Sequence, residues 1–330
     1  MDEQVLNNTE NTIETEGLNQ EPAPKAKQPL KRETKRIIFY TLMMIFPFAQ
    51  FLLFYVYVNF SEILLAFQQY APIVGQEVGY DITYTFENFK YVYAFIFNKG
   101  NIPLITNSVI YYILHTAIGT SLALGFSYYI YKKYFLSEFF RVILFLPQVI
   151  SGIVISLLFK YITQDVYLAL SGAEWGLMDN PETTFPTLIA YNLWLGFGTN
   201  ILLYSGAMSG INDSIVESAH LDGVNVFSEF FYITFPMIFS TFSTFIISGL
   251  SGIFTQQLHL FSFYGTGAPE AVRTLGYYIH ISTLQSGVVR VQNFFTYGEL
   301  SALGLMITLI VLPITFGVRA LLEKFGPSVN

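Results

Sequence analysis

The sequence predicts an all-α, polytopic integral membrane protein with six transmembrane helices. Of its residues 53% are hydrophobic and only 12% are charged, about half the charged fraction of a typical soluble domain. Six apolar segments also reach the roughly 20 residues that a helix needs to cross a bilayer. These segments are approximately 37–60, 104–131, 141–162, 186–209, 236–260 and 301–322. Lipid cannot satisfy the edge of an open sheet, so the crossings are expected to be helices.

Charge separates the N-terminal region from the apolar segments. Residues 1–24 carry six acidic and no basic residues, whereas residues 25–36 carry six basic residues and one acidic residue. Polar sequence of this kind buries too little surface to fold alone. We therefore expect a disordered cytoplasmic tail over residues 1–36, acidic and then basic, followed by a six-helix transmembrane domain over residues 37–330. Because an acidic leader does not resemble a signal peptide, the first span is expected to remain as an anchor.

Lysine and arginine predict the orientation of the spans. With the N-terminus in the cytoplasm, eleven of them fall on the cytoplasmic side and five on the outer side. Cytoplasmic loops of membrane proteins carry the excess of basic residues. The chain is thus expected to be a multi-pass protein of the cell membrane with both termini cytoplasmic. The segment between spans four and five, residues 210–235, would then face the cytosol.

Several kinds of chemistry are absent from the sequence. No Asp or Glu lies in the middle of a predicted span, where ion-driven carriers usually bind their coupling ion. Neither the phosphate-binding pattern G-x-x-x-x-G-K-[ST] nor the metalloprotease pattern H-E-x-x-H occurs. There is no cysteine, and the four histidines are scattered. We therefore expect no catalysis, metal or cofactor in this chain, which is either passive or energised by a partner.

The stretch "ESAHLDGVNVFSEFFYITFP", residues 217–236, interrupts the apolar segments with polar residues. Ser214 and Glu217 have the spacing of a capping box, which predicts a helix over about 215–222. Gly223 supplies the left-handed residue that commonly ends a helix. The pattern therefore predicts a short helix closed at both ends.

A second short helix is expected directly after this turn, capped by Asn225. Helix, glycine turn and helix would form a rigid cytoplasmic element that presents His220 and Leu221 to a soluble partner. The alternative interpretation is an ordinary capped connector between two spans.

The same stretch resembles the EAA loop of bacterial ABC importer permeases. The positions that match the family pattern at its spacing are Glu217, Ala219, Asp222, Gly223, Phe230, Ile233 and Pro236. Ser218, Val224 and Phe235 depart from it. Two further stretches, "FFRVILFLPQVISGIVISLLFKYI" and "TLGYYIHI", are similar to the third span and to the segment before the last span of the maltose-type sugar permeases. The resemblance covers nearly the whole chain after residue 37.

This resemblance implies a type I ABC importer permease-like fold and a role in carbohydrate uptake. The chain would form half of the translocation pathway for a sugar or oligosaccharide, beside a second permease subunit. Two ATP-binding subunits would hold ATP-Mg and hydrolyse it, and an extracytoplasmic solute-binding protein would deliver the sugar. No nucleic acid is implied.

The resemblance also implies which residues meet the ATPase. We call residues 214–236 the coupling loop. Its implied functional residues are Glu217, Ser218, Ala219, His220, Leu221, Asp222, Gly223, Phe230 and Pro236. Family members often carry basic residues around the position of Phe230, whereas here its neighbours include Glu229 and no base. The ATPase surface is therefore expected to be more cationic or more apolar.

Polar residues of the predicted spans four and five are candidates for the substrate path. In span five, hydroxyl and histidine side chains recur at helical spacing from Ser240 to His259. The candidates in the two spans are Asn192, Trp194, Asn200, Ser248, Ser251, Thr255, Gln256, Gln257 and His259. Small polar residues also serve helix packing in membranes, and tryptophan also anchors helices at the interface, so both alternatives stay open here.

Other functions are weighed against sugar import. A permease of the same superfamily could carry an osmolyte, a phosphate ester or a peptide, although the spans lack mid-membrane Lys and Arg for an anionic solute. A membrane-embedded enzyme would need a carboxylate or metal cluster that the sequence does not offer. A passive channel with a capped loop is the third alternative.

Overall fold

The computed structural model describes residues 32–72, 79–288 and 294–327, and within them the chain is helical apart from one short hairpin and its connections. Internal contacts divide the chain into two units, Met1–Phe60 and Ser61–Asn330. Most of the predicted tail, residues 1–31, lies outside the described residues. Its last five residues, 32–36, form the start of the first helix.

The first helix, α1 (Arg32–Ala66), contains the first predicted span. Its stretch Phe51–Tyr57 has the wider hydrogen-bond pattern of a π-helix. Between Arg32 and Tyr57 no residue is buried, and apolar side chains such as Phe46 and Phe54 are largely exposed. A helix that is apolar on every side suits a hydrocarbon surrounding.

A short hairpin follows α1 and is a feature that the sequence analysis missed. Strands β1 (Gln68–Pro72) and β2 (Tyr80–Tyr84) pair in antiparallel fashion. The following helix, α2 (Glu87–Ile96), is tied to the hairpin because the Asn88 amide donates to the Gln68 carbonyl of β1 at 2.9 Å. The same amide also donates to the carbonyl of Ala66, the last residue of α1, at 2.9 Å.

The third predicted span is not one helix. After α3 (Ile102–Tyr131), which encloses the second predicted span, the chain forms α4 (Ser137–Val149) and α5 (Gly152–Ser171), separated by two extended residues. The continuous helix predicted over 141–162 is therefore wrong. Pro147 lacks the N–H that would continue the hydrogen-bond ladder, so the last turn of α4 is weakened close to the break.

Helix α6 (Pro181–Ser209) contains the fourth predicted span and packs against α3 and α4. The Ser127 hydroxyl of α3 donates to the Ile201 carbonyl of α6 at 3.1 Å. Gly198 permits the approach of α4, because a Cβ there would lie 2.4 Å from the Leu144 carbonyl oxygen. Buried side chains around this contact include Leu124, Ile130, Tyr204 and Met208.

The fifth predicted span is bent and shorter than expected. After α7 (Asp213–Leu221), helices α8 (Val226–Met237) and α9 (Phe239–Ser251) meet at an angle of 67°. Residues 252–259 then form turns, so the single helix predicted over 236–260 is wrong. Gly252 follows the last residue of α9, where a residue without a side chain favours the end of a helix.

The chain closes with α10 (Leu260–Tyr264), α11 (Leu275–Gln285) and α12 (Tyr297–Phe325), the last of which contains the sixth predicted span.

By length and apolar composition, four helices of the described residues are suited to cross a membrane, namely α1, α3, α5 and α12, and the bent pair α8 and α9 would make a fifth. The multi-pass helical class is thus confirmed, whereas the count of six stays a prediction.

Candidate functional site

The coupling loop folds as helix, glycine turn and helix. Helix α7 begins one residue earlier than its predicted cap, because Asn212 rather than Ser214 is the N-cap and accepts from the Ser214 amide at 3.0 Å. The predicted capping box is therefore wrong: the Ser214 hydroxyl itself donates to Asn212 Oδ1 at 2.9 Å. Gly223 has a φ of +76° and ends the turn, as the sequence predicts. Asn225 caps α8 by accepting from the Ser228 amide at 2.9 Å, which confirms that prediction.

The first helix of the loop divides into an exposed and an inward side. Leu221 is 90% exposed, and the acidic pair Glu217 and Asp222 is exposed beside it, as is Ser218. Ala219 is buried within this chain, and its implied place at the partner contact stays a prediction. The accessible surface of α7 is thus acidic with an apolar tip.

Phe230 and Pro236 serve the inner side of the element. Phe230 is half-buried, and its ring centroid lies 5.1 Å from that of Tyr128 on α3. Pro236 lies within α8 and lines a cavity between α9 and α12. Neither position is among the exposed residues. They hold the loop against the rest of the unit.

A buried ion pair joins the loop to the end of α3. Glu229 is 1% exposed, and its two carboxylate oxygens lie 2.7 and 2.9 Å from Lys132 Nζ. His220 Nε2 lies 2.8 Å from Glu229 Oε2. The sequence analysis counted Lys132 only for orientation. The His220 side chain is 55% exposed, so its predicted contact with a partner stays a prediction. The only sequence signal of this cluster was an acid among aromatic residues with no base nearby.

Two of the substrate-path candidates contact other parts of the protein through their side chains. Asn192 is buried, and its amide donates to the carbonyls of Leu188 at 2.8 Å and Leu258 at 3.2 Å. Trp194 is partly exposed, but one face stacks on Phe159 with ring centroids 6.2 Å apart. Asn192 is not among the residues that line the cavity at Asn200.

Asn200, Ser248 and Gln256 are the candidates that the structure brings together. They line a cavity of about 230 Å³ in the second unit, with His115 and Thr116 of α3. No charged side chain lines it. Amide, hydroxyl and imidazole groups around such a space can exchange hydrogen bonds with a neutral polar solute.

A larger cavity of about 740 Å³ lies between α9 and α12. Its α9 side carries hydroxyl groups, and its α12 side carries Arg319 and Glu323, which pair with each other at 2.7 Å. The hydroxyl residues are Ser240, Ser243, Thr244 and Ser248. Because Ser248 lines both cavities, the two spaces adjoin along α9.

The remaining candidates lie at or beyond the end of α9. Ser251 is its last residue, and its hydroxyl donates to Ile247 within the helix at 2.9 Å. Thr255, Gln257 and His259 lie in the turns that follow, so the predicted helical stripe stops at Ser251. His259 has a φ of +55° and an edge-on contact with the Tyr191 ring. Among the described residues no group of three or more His, Asp or Glu could hold a metal.

The membrane-suited helices and the polar cavities between them are typical of a transport subunit. The family described as binding-protein-dependent transport system inner membrane component matches residues 115–330. The match covers more than half of the chain, so the protein belongs to this family of ABC importer permeases.

Relatives in this family include two oligosaccharide permeases. The chain is 25% identical over 288 residues to the arabinooligosaccharides transport system permease protein AraP of Halalkalibacterium halodurans, which covers 83% of this chain and 85% of that protein. It is 33% identical over 147 residues to the galactooligosaccharides transport system permease protein GanP of Bacillus subtilis. That match spans 42% of this chain and only 35% of GanP.

The fold is shared with a solved importer. A chain of a bacterial ABC transporter involved in the import of the acidic polysaccharide alginate superposes with a TM-score of 0.71 at 19% identity, over 89% of this chain and 98% of that one. A structure of the alginate transporter in complex with an alginate pentasaccharide-bound periplasmic protein gives 0.68 at 20% identity, over 89% and 97%. At this level of identity the likeness establishes the type I importer fold.

Proposed function

We propose that this chain forms half of the translocation pathway for a neutral sugar or oligosaccharide in a binding-protein-dependent importer. The observation that carries the proposal is the cavity of about 230 Å³, lined by hydroxyl, amide and imidazole groups and by no charge. Sugars present many hydroxyl groups that such a lining can hydrogen-bond. The names of two family relatives, both permeases for oligosaccharides, support the same substrate class.

The proposed energy source is a pair of separate ATP-binding subunits that hold ATP-Mg. The sequence has no phosphate-binding loop, yet its coupling loop presents an exposed acidic helix with an apolar tip at Leu221. We propose that this surface inserts into a groove of the ATPase with basic and apolar groups. A second permease subunit would supply the other half of the pathway, and an extracytoplasmic binding protein would deliver the solute.

The proposed topology has six crossings in the plasma membrane and both termini in the cytoplasm. The structure supports it through α6, whose 29 residues extend about 44 Å, more than the roughly 30 Å hydrocarbon thickness. Helices α4 and α5 would together form the third crossing. Because the chain has no cysteine, a Ser218→Cys variant carries a single label site. An impermeant maleimide that labels it from outside intact cells would refute this topology.

Transport itself is tested in proteoliposomes that contain the chain, its second permease subunit, the two ATPases and the binding protein. We expect uptake of radiolabelled oligosaccharide that depends on ATP and on the binding protein. A Glu217→Lys variant should lose solute-stimulated ATP hydrolysis, because it reverses the charge of the exposed loop surface. Uptake of an osmolyte or a peptide in place of any sugar would refute the substrate class, and full activity of the Glu217 variant would refute the docking surface.

A further inference from the structure

We propose that Lys132, Glu229 and His220 form an ion-paired link that passes movement of the coupling loop to helix α3. The inference rests on the proposed function, because it concerns how the loop acts once an ATPase holds it. It gives a positioning role to Lys132 and Glu229, which are largely shielded from solvent, and to His220, whose side chain is 55% exposed. Their contacts with each other join the coupling loop to the end of α3.

Both oxygens of the Glu229 carboxylate have hydrogen-bond partners in the link. Glu229 is 1% exposed, so its charge is removed from water and needs compensation from close partners. Lys132 Nζ lies 2.7 Å from one oxygen and 2.9 Å from the other. His220 Nε2 lies 2.8 Å from the second oxygen. Hydrogen bonds of this charge-assisted kind are short and directional, so they fix the carboxylate in one orientation.

The three residues belong to three different elements. Lys132 follows the last residue of α3, His220 lies in the last turn of α7, and Glu229 lies in the first turn of α8. By chain connection alone the loop is joined to α6 and α9. The link adds α3, a membrane-suited helix that is more than 80 residues away in the sequence. A displacement of α7 therefore acts on three helices at once.

Aromatic contacts support the link on the α3 side. The Tyr128 hydroxyl donates to the Val226 carbonyl at 3.3 Å, and its ring packs edge-to-face against Phe230 at 5.1 Å. Lys132 Nζ also lies 5.9 Å from the ring centroids of Tyr128 and Tyr131. The end of α3 and the start of α8 thus form one packed body, and the hydrogen bond between His220 and Glu229 joins α7 to it.

A purely stabilising role predicts a different behaviour. Apolar residues of similar volume commonly stabilise a buried position as well as an ion pair does. If stability were the whole role, replacing both charges by apolar residues would preserve transport. A directional link predicts the opposite, because apolar contacts can slide and do not hold α7 and α8 at one angle.

The decisive variant is therefore the double replacement Lys132→Met with Glu229→Leu, measured in the reconstituted full complex. We expect it to assemble with the ATPase and to hydrolyse ATP at the unstimulated wild-type rate. The number of solute molecules transported per ATP should fall by about tenfold or more, because tenfold is the lower end of the factor that corresponds to one hydrogen bond to a charged group. Lys132→Arg should retain transport, since a guanidinium can also pair with both carboxylate oxygens.

Glu138→Gln is the matched control, because Glu138 forms an exposed pair with Arg141 on the same predicted side. It should transport like the wild type. Transport by the double variant within twofold of this control would overturn the link alone. Loss of assembly in the double variant would identify a structural role and would also overturn it. A wild-type chain that never associates with an ATPase would refute the proposed function itself, a result distinguishable from both.

A distance measurement in the full complex tests the mechanical part of the inference. The chain has no cysteine, so Asp213→Cys on α7 and Phe135→Cys after α3 give two defined spin-label sites. Both positions are exposed. We expect a narrow distance distribution with the link intact and a wider one in the double variant. Equal widths would overturn the proposal.

Discussion

Replacing Gly223 by alanine isolates the conformation of the coupling loop from its contacts. The residue has a φ of +76°, and a Cβ built there meets no atom within 4 Å. The whole effect is therefore the cost of a left-handed L-residue, about 1–2 kcal/mol. Such a cost lowers the fraction of loops in the observed turn by a factor of about 5 to 30. Solute-stimulated ATP hydrolysis in the reconstituted complex should fall by a similar factor, while unstimulated hydrolysis is unchanged.

Two further variants make this prediction strict. Gly223→Asn should recover most of the activity, because asparagine tolerates the left-handed region. Gly172, which ends α5, has a φ of +65° and equally open space around its Cβ position. Gly172→Ala thus carries the same intrinsic cost outside the coupling loop. If Gly223→Ala reduces stimulated hydrolysis no more than Gly172→Ala does, the rigid turn is not needed for coupling and the reasoning is refuted.

The remaining predictions concern the helices behind the loop. Gly198→Ala should lower the thermal unfolding temperature in detergent, because its Cβ would lie 2.4 Å from a backbone oxygen of α4. Overpacking of this kind costs about 1–3 kcal/mol. Gly206→Ala is the control, because a Cβ at that position meets no atom within 4 Å. Asn192→Ala should also lower that temperature, since it leaves the Leu258 carbonyl without its donor, but the KM for uptake should stay unchanged. Asn200→Ala should raise that KM with little effect on unfolding, because its side chain lines the neutral cavity; the reverse pattern for the two asparagines would contradict the assignment.

Local features of the coupling loop were predictable because local chemistry decides them. A glycine after a short helix and an asparagine before the next one specify their own backbone conformations, and both are found at Gly223 and Asn225. The choice of the first cap was harder. Asn212 and Ser214 are both good N-caps, and the sequence does not show that the asparagine takes the position.

Features that depend on direction or on distant partners were not predictable from one sequence. Hydropathy reports whether a segment is apolar, but it does not report the turn between α4 and α5 or the bend before Phe239. Similarly, no local pattern joins Lys132 to Glu229, since the two are 97 positions apart. Asn192 and Asn200 lie on one helix at a spacing that predicts one face. The Asn192 amide, however, is hydrogen-bonded to the Leu258 carbonyl in the turns after α9, whereas Asn200 lines a cavity.

The angle of 67° between α8 and α9 has a consequence for how force would travel. A straight rod pushed at one end advances along its own axis. At this angle a displacement of α8 along its own axis is directed mostly across the axis of α9. The hydroxyl-bearing side of α9 forms one wall of the larger cavity. A displacement of α8 along its axis would therefore change mainly the distance between α9 and α12 across that cavity.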